Sequence, residues 1–192
     1  MPKTNKILYF GILTLPIWTI IYATNKSPFD YTLSMIGNWF DYRINFIIWG
    51  IVTGILFTLF LINLFKKTNF NNKKSKKYAY LTGIYLILTV LTPISIQEPI
   101  DKALRVWHID LHVVWSVLFA FSLITCLYMF SKYLKTTHKQ ISIRYSKYMI
   151  FTIFGSLLLL TLFGMTGIFE LFFFISVTFY MIILDYYIDK IN

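Results

Sequence analysis

Cysteine is nearly missing from this chain of 192 residues: Cys126 stands alone, so no internal disulfide can form and no cysteine-built metal site can be assembled. Charged residues are scarce as well, at 14%, and only eight are acidic. A soluble domain carries roughly 25% charged residues, so the polar surface here is too small to coat a water-soluble globule. Proline and glycine number five and eight, and no repeat, low-complexity stretch or long polar linker marks a second domain. What fills the chain is apolar, with 57% hydrophobic and 20% aromatic residues and a mean hydropathy of +0.66. The expectation is one all-α, polytopic membrane domain over 1–192.

A membrane-spanning helix needs about 20 mostly apolar residues, and six such runs are present, at about 7–23, 45–65, 78–96, 106–130, 148–165 and 170–185. Lys3 and Lys6 resemble the charged start of a signal peptide, but Ile21-Tyr22-Ala23-Thr24-Asn25 offers no small-residue cleavage pattern. The first run is therefore expected to be a retained helix.

The net charge of +10 is distributed by face. Fourteen of the 18 Lys and Arg residues fall at the N-terminus, in 66–77, in 132–147 and at Lys190, whereas Lys26, Arg43, Lys102 and Arg105 occupy the other loops. Short loops rich in Lys and Arg stay in the cytoplasm, so both termini are expected inside. Six of the eight acidic residues lie in the outer loops, with only Asp185 and Asp189 inside. This split argues for membrane orientation and headgroup contact, with no nucleic-acid partner. The Lys, Ile, Phe, Tyr and Asn bias points to a low-GC bacterium and its plasma membrane.

Within the spans, Gly50 and Gly54 form a GxxxG pair and Ser116 and Ala120 a weaker small-xxx-small pair, patterns that let backbones approach for packing or for a homodimer. Pro16 and Pro93 remove backbone donors, and each is expected to kink its span. In the first outer loop, Ser27-Pro28-Phe29-Asp30 has the order of a helix start and Gly37 that of a stop, so a short interfacial helix is expected over 28–36. Its apolar residues would lie in the interface or over the outer mouth of the bundle.

The segment before the fourth run carries the densest polar pattern. Asp101, Arg105, His108, His112 and Ser116 recur at helical spacing along one face, while Asp110 points away from both histidines. His108 and His112 are half of a possible zinc set, which Glu170, Asp41 or Glu98 would have to complete. The other readings are a pocket for a small solute or lipid headgroup, and a structural network that caps neighbouring backbone. Glu170 follows a tight turn at a helix start, where the dipole favours a carboxylate. Ser34, Asn38, Arg43, Asp101, Arg105, His108, Asp110, His112 and Glu170 are the candidate residues of a shared outer polar layer, with no catalytic residue assigned.

Ser34-Met35-Ile36-Gly37-Asn38, Arg43 before Phe46-Ile47-Ile48-Trp49-Gly50, His112, and Thr166-Gly167-Ile168-Phe169-Glu170 together resemble a group of small six-helix membrane proteins of low-GC bacteria that share a domain of unknown function. More distantly they are similar to the DRAM/Sfk group. The resemblance implies a fold and carries over no functional residue. The ceramidase/adiponectin-receptor hydrolases need a further histidine that this chain lacks. Haem carriers need histidines facing each other across a bundle, and intramembrane serine proteases need a GxSG-like setting. The leading expectation is a non-enzymatic protein with an outward polar pocket, acting in binding, transport or protection such as toxin immunity. The alternatives are a zinc-dependent membrane hydrolase acting on lipid and the substrate-binding subunit of a vitamin transporter.

Overall fold

A computed structural model describes residues 6–94 and 111–191. These residues are helical, without strands, in seven elements: α1 (Lys6–Ala23), α2 (Leu33–Trp39), α3 (Arg43–Lys67), α4 (Lys73–Leu91), α5 (Leu111–Thr137), α6 (Lys139–Phe163) and α7 (Gly167–Ile191). Five of them, α1, α3, α5, α6 and α7, are long and apolar enough to cross a membrane. The remaining long helix, α4, corresponds to the run expected at 78–96 but is displaced toward the lysines, beginning at Lys73 and ending at Leu91. The described residues form a helical bundle of the membrane-embedded kind.

The helices close a ring in which α1 packs on α3, α3 on α4, α4 on α5, α5 on α6, α6 on α7 and α7 on α1. Buried Phe57, Phe60, Leu61, Leu64, Leu123, Cys126, Phe130 and Met181 fill its centre. Large apolar side chains point outward, among them Phe10, Ile17 and Ile21 of α1 and Phe154, Leu158 and Leu162 of α6. That is the surface a bilayer requires and water would reject. Threonines inside the helices satisfy themselves by donating to the carbonyl four residues back, as Thr19 does to Leu15, Thr53 to Trp49 and Thr178 to Phe174.

The GxxxG pair is occupied within the chain. A Cβ on Gly50 would fall 2.1 Å from Val90 Cγ1, and one on Gly54 would fall 3.0 Å from the Gly83 carbonyl oxygen, so both glycines carry the close approach of α3 to α4. Pro93 corrects its expectation. It stands just beyond α4, where Thr92 adopts an extended conformation (φ −81°, ψ 118°), so it ends the helix and kinks nothing. Pro16 does sit inside α1.

The first loop is also shifted from the expected 28–36. Ser27 closes a turn, its carbonyl accepting from the Asp30 and Tyr31 amides, and the helix begins only after Thr32, whose side chain accepts from the Met35 amide at 3.0 Å. Gly37 lies within α2 and stops nothing. A Cβ there would fall 2.6 Å from Phe46 Cβ, so the glycine serves contact with α3.

Lys67, one of the fourteen loop cations in the sequence count, is in fact 1% exposed. Its ammonium donates to Asp185 at 2.7 Å and Asp189 at 2.6 Å, pinning the end of α3 to α7. Asp185 and Asp189 stand four residues apart on one helical face, so both can reach one cation.

Candidate functional site

At the end opposite Lys67, the short helix α2 covers the bundle as a hood, and three spans hold it. The Leu33 amide, at the start of α2, donates to Glu170 Oε2 at 2.6 Å. The carboxylate is partly buried and lies in the first turn of α7, so it meets the positive ends of two helix dipoles at once. In return, the Gly167 and Ile168 amides at the start of α7 donate to the Tyr31 and Pro28 carbonyls at 3.0 and 2.9 Å. Only glycine fits at 167, because a Cβ would fall 2.6 Å from the Tyr31 carbonyl oxygen. From α1, Tyr22 Oη donates to the Leu33 carbonyl at 3.0 Å.

The other end of α2 is held through Asn38 and Arg43. Asn38 Nδ2 donates to the Ser34 carbonyl at 2.7 Å, and its Oδ1 accepts from Arg43 Nη1 at 2.9 Å. Arg43 Nη2 donates to the Leu91 carbonyl at 2.8 Å, and His112 Nδ1 stands 2.9 Å from the adjacent Thr92 carbonyl. These are the orphan acceptors at the C-terminus of α4, where cationic donors are favoured. Ser34, buried, exchanges a hydrogen bond with Thr32 at 3.0 Å.

Beneath the hood lies an aromatic floor. Tyr22, Phe46 and Trp49 stack within about 6 Å of one another, with centroid distances of 6.0, 6.1 and 5.9 Å, and His112 lies 6.4 Å from Phe46. Trp49 Nε1 donates to Thr19 at 3.0 Å, which satisfies the one polar atom of an otherwise apolar ring. The floor separates the polar layer from the membrane core.

Of the nine residues expected in the outer layer, five are described. Ser34, Asn38, Arg43, His112 and Glu170 all bond at or beside α2 or the end of α4. Asp101, Arg105, His108 and Asp110 lie outside the described residues, as does the proposed helix start at Pro99. Sequence reading missed Tyr22, Thr32 and Thr166. The Thr166 hydroxyl is buried at this end without a hydrogen-bond partner among the described residues. No local pattern marks Tyr22, whereas Thr32 and Thr166 are each an N-cap residue type directly before a helix, at Leu33 and Gly167. Among the described residues, no three His, Cys, Asp or Glu side chains converge as a metal set.

Fold and layer together define a membrane-embedded helical protein whose polar side chains at one end cap helix termini. Compared with known proteins, the chain matches no family model, no curated protein and no solved structure.

Proposed function

We propose that this is a six-span protein of the bacterial plasma membrane, with both termini cytoplasmic, that binds a small anionic ligand or lipid headgroup at its outer face and performs no chemistry on it. The observation that carries this reading is Arg43. Its guanidinium has five N–H donors, and the hydrogen bonds to Asn38 and Leu91 use two of them while fixing the plane of the group. A partly exposed arginine held in this way is preorganised for a carboxylate or phosphate. The Thr166 hydroxyl, buried without a partner among the described residues where α7 meets the start of α2, is a second polar group on this face that a ligand or water could complete.

The charge split between loops supports the orientation, and the hood supports an outward-facing site reached from the cell exterior. Transport and protection against an external toxin are both compatible with a site of this kind. The test is thermal stabilisation of the purified protein by glycerol phosphate and by small carboxylates. Binding should be retained in Lys26→Gln and lost in both Arg43→Ala and Arg43→Lys, since lysine keeps the charge but not the planar fork. Equal stabilisation of wild type and Arg43→Ala would remove the reading.

A further inference from the structure

We infer that the lysine-rich end of α3, α4 and α5 is an interaction surface for anionic phospholipid headgroups, separate from the hood layer at the opposite end of the bundle. Tertiary contacts assemble it. Phe70, in the turn between α3 and α4, packs on Tyr133 with ring centroids 4.7 Å apart, and Tyr133 Oη donates to the Thr68 carbonyl at 2.8 Å. Deeper in the bundle, Ser75 Oγ lies 3.7 Å from Met129 Sδ, and Cys126 Sγ lies 3.5 Å from the Ser75 carbonyl. The start of α4 is thereby set beside the end of α5. Exposed Lys66, Lys73, Lys74 and Lys77 share one rim with exposed Lys132 and Lys135.

Among the described residues, no carboxylate pairs with a lysine of this rim. The ion pairs among them are those of Lys67 with Asp185 and Asp189, so both carboxylates at this end are committed to a buried cation. The first turn of α4 contains no acidic residue, and its lysines sit at the positive end of their own helix dipole, an arrangement that costs the isolated fold. An external anion reverses that cost. Tyr78 and Tyr80 follow directly after the α4 lysines, as aromatic residues do at the boundary between headgroups and hydrocarbon. The ammonium groups therefore lie at headgroup height, where lysines act together on an anionic leaflet, and a lipid is the source of anion that this depth selects.

The full-length protein, reconstituted in vesicles of mixed phosphatidylcholine and phosphatidylglycerol and re-extracted, should retain phosphatidylglycerol preferentially when its bound lipids are counted by native mass spectrometry. The preference should fall by about tenfold or more in Lys73→Gln/Lys74→Gln/Lys132→Gln/Lys135→Gln. It should persist in Lys6→Gln/Lys190→Gln, which removes charge on the α1 and α7 side. If the fourfold variant does not fold, the wild type decides alone: rising salt should strip the phosphatidylglycerol. No lipid preference, a preference indifferent to salt, or equal losses in the two variants would each overturn the inference.

Discussion

Glu170 on α7 accepts from the backbone amide of Leu33 at 2.6 Å, joining residues 137 positions apart and making a carboxylate from one helix the cap of another. Leaving a partly buried backbone donor without its acceptor costs roughly 1–3 kcal/mol. Glu170→Ala should therefore lower the thermal stability of the purified protein by about that amount, and Glu170→Gln, which keeps an acceptor, by about half. The hood should loosen too, so protease cleavage within 24–32 should accelerate in Glu170→Ala. A melting curve identical to wild type would show that the cap contributes nothing.

The buried cation at the other end is a sharper test. Removing one partner of a buried ion pair leaves an uncompensated charge, at a cost of about 3–5 kcal/mol, whereas replacing the whole group with apolar residues is often neutral. Lys67→Met should thus be severely destabilised in chemical denaturation in micelles. Lys67→Met/Asp185→Leu should recover most of the loss, because Asp189 is 48% exposed and remains hydrated. No recovery in the double variant would mean that the pair acts through something other than its charge.

Close packing of α3 on α4 predicts a rescue. Gly50→Ala forces a methyl group into the space of Val90, and overpacking of this kind costs about 1–3 kcal/mol. Val90→Ala in the same chain should restore stability toward wild type. At Gly164 the outcome should differ in cause: no atom lies within 4 Å of a Cβ, but φ is +71°, so Gly164→Ala is strained by backbone conformation and no neighbouring truncation should relieve it.

Orientation can be read by thiol labelling in intact cells. Asn72→Cys and His138→Cys should be shielded from an impermeant reagent, and Asn25→Cys should be labelled. The native Cys126 is 0% exposed and should leave no background signal. Labelling at position 72 from outside would reverse the proposed topology.

Zinc content addresses His112. Its Nδ1 faces the Thr92 carbonyl, a contact that holds α5 to the end of α4. The purified protein should hold substoichiometric zinc, and His112→Ala should lose stability without losing metal. Stoichiometric zinc that disappears in His112→Ala would favour the hydrolase instead.

Much of this molecule follows from its sequence alone. The apolar runs determine helices and membrane residence, because a backbone in hydrocarbon must satisfy its own hydrogen bonds and a helix does so locally. Glu170 at a helix start and Gly50-xxx-Gly54 as a packing face are likewise local patterns, legible before any fold is known. The position of α2 was not. Ser27-Pro28 and Thr32 are both acceptable helix starts, and the choice fell to Thr32 because the Pro28 and Tyr31 carbonyls are taken by the first amides of α7. Lys67 reads as one loop lysine among many until α7 brings Asp185 against it. Arg43, Asn38 and His112 are recognisable as polar residues near a boundary, yet their partners are backbone carbonyls at the end of α4. Carbonyl groups carry no sequence signature, so only tertiary structure could decide which helix ends those side chains would serve.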